Sequence, residues 1–293
     1  MNPMSSSASE AAERSAWSIS ADARDGLAAR VREVWQYRRI LWFFALRATQ
    51  ALYRKTYLGV WWLFIRTLVP LIVGAFVFGA VINVPSGGVP YLVFFLAGQL
   101  AWNFFDGPLI RASRGIDGNR QLLTKLYIPR IILPLGQMAA GVVEPVIIAV
   151  ILVVTVVYYR RVDGVWYVQP GLRLMAASAA VLVILWFAFA LSLFTSVWQG
   201  RARDTRFVLR HIVGFWLFLT PVVYPASQVP ARIRWLIYVN PLTAPVETFK
   251  WAVLPGMEHS WPWFMYSVGL TAALFVAGLW YFARSEGATM DKL

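Results

Sequence analysis

The sequence predicts an all-α, polytopic membrane protein, and three observations carry that prediction. Hydrophobic residues make up 59% of the 293-residue chain and charged residues only 14%, and the charges gather in short polar stretches between long apolar runs. A mean hydropathy of +0.59 leaves a soluble fold nowhere to put its apolar surface. At about 20 apolar residues per crossing, six crossings and their connections use nearly the whole chain. The 15 Trp, 12 Tyr and 19 Phe fit aromatic belts at the two membrane interfaces.

Residues 1–26 are rich in Ser and Ala, hold no apolar core of the signal-peptide kind, and read as a disordered cytoplasmic tail. From Leu27 to Leu46 apolar residues recur at near-helical spacing, interrupted by Arg30, Arg32, Arg38 and Arg39. This predicts a basic amphipathic interface helix within a region 27–58. The transmembrane domain then occupies 59–284. Its first span is expected at 61–82, ended by Asn83, Pro85, Gly87 and Gly88, and its second at 91–110. A polar segment from Arg111 to Arg130 follows, in which Pro129 stops a short helix.

Two long apolar runs give spans at 131–157 and 172–198, joined by a loop holding Arg160, Arg161 and Asp163. Arg201, Arg203, Asp204 and Arg206 form a polar turn before a fifth span at 207–224. Between Pro225 and Pro262 the chain is apolar but broken by Pro230, Pro241, Pro245 and Pro255, and it carries Arg232, Arg234, Glu247 and Lys250. Broken backbone at membrane depth is tolerated only where protein or a water cavity satisfies it, so 226–256 reads as re-entrant helices on the periplasmic side. A sixth span at 263–282 leads to a polar tail, 285–293.

The formal charge of +13 sorts with this arrangement. On it, 20 Lys and Arg fall on the side of the termini and 6 on the other, with Arg66 inside the first span. The positive-inside rule therefore puts both ends in the cytoplasm. A basic chain of this pattern points to anionic headgroups, and nucleic acid is disfavoured.

Catalytic constellations are thin. The two histidines, His211 and His259, belong to opposite ends of membrane segments, and Asp106, Asp117 and Asp163 are too scattered for a transferase centre. No Gly-Lys pair occurs, so the loop that cradles ATP phosphates is missing. Arg66 and Glu144 are the two ionisable residues at appreciable depth in the expected spans, and each either meets a polar substrate or pairs with a neighbouring helix. Glu144 precedes Pro145, which predicts a kink.

The polar segments also carry a resemblance. Leu122-Leu123-Thr124-Lys125-Leu126-Tyr127-Ile128-Pro129-Arg130, continuing to Leu133-Pro134-Leu135, resembles the cytoplasmic loop of type-2 ABC exporter permeases of the polysaccharide, O-antigen and teichoic acid family. Tyr53-Arg54-Lys55-Thr56-Tyr57-Leu58-Gly59 with Trp62 is similar to that family's entry into its first span, and Arg203-Asp204-Thr205-Arg206 to the turn before its fifth. Thr220-Pro221-Val222-Val223-Tyr224-Pro225, Val239-Asn240-Pro241-Leu242 and Glu247-Thr248-Phe249-Lys250 resemble its outer re-entrant region. The agreement runs in order over roughly 37–256. Arg47-Ala48, Leu52 and Arg66-Thr67 depart from the family's usual entry pattern.

The resemblance implies a permease half-transporter in the cell inner membrane: a homodimer working with two copies of an ATP-binding cassette subunit to move a lipid-linked glycan. No cofactor is then expected on this chain, ATP and Mg belonging to the partner. It implies that the Arg111–Arg130 segment holds a coupling helix, with Asn119, Gln121, Lys125, Tyr127 and Arg130 as contacts to the ATPase. Candidates for lining the conduit or meeting substrate are Trp62, Arg66, Tyr91, Trp102, Phe105, Glu144, Trp216 and Tyr224, since aromatic faces stack on the C–H surfaces of sugars. The alternatives are an exporter of a drug or simple lipid, and a transporter that needs no ATP.

Overall fold

In a bilayer the backbone must satisfy its own polar groups, and the apolar runs accordingly close on themselves as helices. The computed structural model describes residues 34–54, 57–119, 129–169, 171–202 and 204–290, and among them there is no strand. In chain order the helices are α1 (Arg38–Gln50), α2 (Trp61–Ala75, continued by a π-helical turn Phe76–Val81), α3 (Tyr91–Ala112), α4 (Ile132–Gly141) and α5 (Val143–Asp163). They continue with α6 (Arg173–Arg201), α7 (Thr205–Leu219), α8 (Ala231–Val239), α9 (Thr243–Val253) and α10 (Trp261–Met290). The chain is an all-helical membrane protein. The tail expected at 1–26 lies outside the described residues.

Among the described residues four stretches are long and apolar enough to cross a membrane: Trp61–Val81, Ile132–Asp163, Arg173–Arg201 and Trp261–Ser285. Two of the six expected spans fall short, for different reasons. α3 has 22 residues but carries Gln99, Asn103 and Asp106 along its length. α7 has only 15, ending at Leu219 where the sequence pattern runs on to Tyr224. The residue before a proline is pushed out of the helical region, and Thr220, before Pro221, is extended at φ −102, ψ 137.

The run expected as one helix at 131–157 is instead two, α4 and α5, joined by a turn at Val142, and α5 continues to Asp163. Pro145 has no N–H for the carbonyl four residues back, so the ladder opens at Gly141. The opening coincides with a close crossing of α3. A Cβ on Gly107 would stand 2.7 Å from the Gly141 carbonyl oxygen, and one on Gly141 would stand 2.4 Å from the Pro108 nitrogen. At the far end, α10 runs through the residues expected as a polar tail as far as Met290.

Of the predicted amphipathic helix, α1 buries Phe44 and Ala48 toward α4 and leaves Trp42, Phe43 and Leu46 exposed. α3 is the centre of the molecule, packed against α4, α5, α6 and α9, and α10 lies along α6. α2 is the outlier: only 6% of its apolar window is buried, against 39% for α6.

Candidate functional site

The helices bring charged residues together at one end of the bundle and polar residues that hydrogen-bond within the chain at the other. At the first end, Arg66 stands in the second turn of α2, Arg111 one residue from the end of α3, and Glu144 at the start of α5. Arg66 Nη2 donates to Glu144 Oε1, and Arg111 Nη2 lies 3.5 Å from that same oxygen. The three side chains are 30%, 25% and 26% exposed, so the cluster is open to what approaches it. Asp106 is within electrostatic reach of Glu144, Arg111 and Arg210, and Arg114 within reach of Arg206 and Arg210. A charged side chain in an apolar bundle needs a partner. Here three guanidiniums, those of Arg66, Arg111 and Arg210, share two carboxylates, with Arg114 and Arg206 close by.

Behind this cluster lies an aromatic wall. Phe105, fully buried, packs edge-on to Trp102 and Trp216 and stacks on Phe187, with ring centroids 5.3, 5.5 and 5.6 Å away. Offset and edge-on ring pairs of this kind add attraction beyond the area they bury.

At the other end the short helices α8 and α9 fold against the mouths of α3, α6 and α7. Asn240 ties them down: its Nδ2 donates to Thr220 Oγ1 at 2.8 Å, while its Oδ1 accepts from Trp216 Nε1 at 3.0 Å and from the Leu242 N–H at 3.1 Å. Lys250, 2% exposed, donates from Nζ to the Pro221 carbonyl at 2.7 Å and lies 4.5 Å from the centre of the Phe94 ring. Burial pushes its ammonium down to about 8, and burial likewise raises the carboxyl of Glu247, which accepts a hydrogen bond from Tyr238. Thr248 Oγ1 and His259 Nδ1 lie 3.1 Å apart, and the His259 ring stacks on Trp251.

The sequence candidates thus divide. Arg66 and Glu144, met as separate residues in the sequence, are partners, and Trp62 is exposed four residues before Arg66 on the same helix. Trp102 and Phe105 are buried inside the chain and Trp216 half-buried beside them. Tyr91 and Tyr224 sit at the other end, their hydroxyls donating to the carbonyls of Val223 and Phe218. Gln121, Lys125 and Tyr127 lie outside the described residues, as does the side chain of Asn119, and Arg130 is half-buried just before α4. Sequence reasoning missed Arg111 as a third member of the charged cluster, although its place in the positive-inside count marks it as a basic residue at a helix end. It also missed Asn240 as the clasp that holds α8 and α9 to α7; the adjacent Pro241 signals only a turn.

The bundle of apolar helices thus carries a charged cluster at one end and the short helices α8 and α9 folded against the other, and its family match makes it a membrane transport subunit. Residues 40–254 match the family described as ABC-2 type transporter, and the chain belongs to that family. It is 26% identical over 222 residues to the O-antigen export system permease protein RfbA of Myxococcus xanthus, covering 75% of this chain and 82% of that protein. A protein of the same name from Klebsiella pneumoniae is 26% identical over 237 residues, covering 79% of this chain and 86% of its own length.

Proposed function

We propose that this chain is the permease subunit of an ATP-driven exporter that moves a lipid-linked polysaccharide, such as an O-antigen, capsule or wall glycan, across the cytoplasmic membrane. The observation that carries this reading is the similarity, over most of both chains, to two proteins named as O-antigen export permeases, within a matched family region of 215 residues spanning 40–254. In this reading two copies of the chain pair with two copies of an ATP-binding cassette subunit that supplies the hydrolysis, ATP and Mg being bound there. α3 and α7 complete a six-span topology with both termini in the cytoplasm, and 226–256 is re-entrant on the opposite side.

Support for pairing comes from α2. Trp62, Ile65, Val69, Ile72, Val73 and Phe76 are all exposed on it, and Phe215 and Phe218 are exposed on α7. Small exposed apolar surfaces are ordinary on a membrane helix, but a span with so little packing inside its own chain suits an interface between copies. Trp62, Arg66 and Glu144 then face the route between the copies, and Tyr91 and Tyr224 its outer rim. Trp102, Phe105 and Trp216 shape the wall from behind. The cytoplasmic segment at 111–130 docks on the ATPase through Asn119, Gln121, Lys125, Tyr127 and Arg130.

The test is reconstitution in proteoliposomes of the chain alone and of the chain with its candidate ATP-binding subunit. ATP hydrolysis and glycan movement are expected only when both are present, and Lys125→Glu or Tyr127→Ala is expected to cut glycan movement about tenfold or more while the complex still assembles. Glycan movement by the chain alone, or movement of a drug or simple lipid in place of glycan, would overturn the reading.

A further inference from the structure

Among the described residues, the guanidiniums in contact with or in electrostatic reach of this cluster outnumber the carboxylates of Glu144 and Asp106. Arg66 and Arg111 both address a single oxygen, Oε1, of Glu144. Asp106 lies within reach of both Arg111 and Arg210, and Arg114 lies within electrostatic reach of the guanidiniums of Arg111, Arg206 and Arg210. Arg66 Nε is buried with no hydrogen-bond partner. A buried donor left without an acceptor is costly, and a guanidinium offers its donors as a planar fork suited to phosphate oxygens. The fork is here half-filled.

Two further features narrow what would fill it. Arg66 is five residues beyond the start of α2, about 8 Å along the helix axis, which is the depth of a headgroup and its first linkage. The elements carrying the arginines also present apolar side chains beside them: Ile65 and Val69 on α2, Phe207, Val208 and Ile212 on α7. A free anion uses the charges alone. An amphiphile with a charged linkage uses both surfaces.

Deepening the exporter reading, on which its physiological meaning rests, we propose that Arg66 and Arg111, supported by Arg114, Arg206 and Arg210, bind the phosphate or diphosphate group of an anionic lipid, with Glu144 holding the two leading guanidiniums apart until the lipid arrives. Glu144 competes with the incoming phosphate for the same donors. Removing its charge therefore strengthens binding, an outcome opposite to that for a purely structural ion pair.

The experiment is equilibrium binding of radiolabelled geranylgeranyl diphosphate to the full chain in phosphatidylcholine nanodiscs. Saturable binding is expected, weakened about tenfold or more by Arg66→Gln and by Arg111→Gln, the cost of losing a charge-assisted hydrogen bond. Glu144→Gln should tighten it, and Arg39→Gln, on the exposed side of α1, should leave it unchanged. Adding phosphatidylglycerol to the discs distinguishes the sources: competition assigns the site to bulk phospholipid headgroups, and no competition assigns it to a lipid carrier, the phosphate chemistry standing in both cases. Monodisperse elution and an unaltered melting temperature establish that each variant is folded; if Glu144→Gln does not fold, the two arginine variants decide. Absence of saturable binding, or unchanged affinity in folded Arg66→Gln and Arg111→Gln, would sink the proposal. Binding without ATP-driven glycan movement would leave the site and overturn the exporter reading; glycan movement with unchanged affinity in those variants would do the reverse.

Discussion

The two ends of this protein handle buried charge in opposite ways. Around Lys250 the charged and amide groups are satisfied within the chain: Nζ has the Pro221 carbonyl, Glu247 has Tyr238, and Asn240 makes three hydrogen bonds, His259 Nε2 being the one buried polar atom there without a partner among the described residues. Around Glu144 the guanidiniums outnumber the carboxylates, the side chains are about one-quarter to one-third exposed, and one buried donor is left over. A closed network specifies a shape, because losing any member strands the others. An open, unbalanced one leaves binding capacity for something else. The Lys250 end is a clasp, and the Glu144 end is where the proposed site lies.

Substitutions can break that contrast or sharpen it. The largest effect is expected from Lys250→Ala, which removes the donor to Pro221 and the cation in electrostatic reach of the buried Glu247. Breaking a buried charge contact in this way costs about 3 kcal/mol or more, seen as a lowered melting temperature in detergent. Arg66→Gln, at the partly exposed pair, should cost under about 1 kcal/mol in the same assay. Equal losses at the two positions would erase the distinction between clasp and site.

Next in size is Gly141→Leu. A side chain there meets Pro108 at the crossing of α3 with α4, and overpacking of this kind costs about 1–3 kcal/mol. Asn240→Ala should cost about 1–2 kcal/mol by leaving the Trp216 indole N–H and the Leu242 N–H without their acceptor, and should raise proteolytic cleavage between α8 and α9.

The last test is a pH dependence. Lys250 has its folded value lowered to about 8 from an ordinary 10.5, so between those values the unfolded chain holds a proton that the folded chain has released. Stability therefore rises as pH is raised from about 8 to about 10.5. The slope of melting temperature against pH should flatten in Lys250→Met. A wild-type slope of the opposite sign would show that the ammonium is better satisfied in the fold than its burial implies.

How much of this was legible beforehand depends on the range of the physics involved. Hydropathy and charge order are local properties of the chain, and they alone determined an all-helical membrane protein, its polar stretches and the order of its elements, with most helix starts within two residues. Helix ends were less legible, since Thr220 leaves the helix because of a proline and α10 continues through residues whose polarity suggested a tail. The break at Val142 was foreshadowed by Pro145, but its place against Gly107 was not.

Arg66 and Glu144 stood out in the sequence as charges in apolar runs. That they meet each other, that Arg111 joins them, and that Asn240 reaches Thr220 are consequences of how α2, α3, α5 and α7 cross, over separations of 20 to 78 residues. Only the tertiary structure could decide these pairings. A one-dimensional pattern records which residues dislike lipid, and the packing of helices selects which of them resolve that cost together.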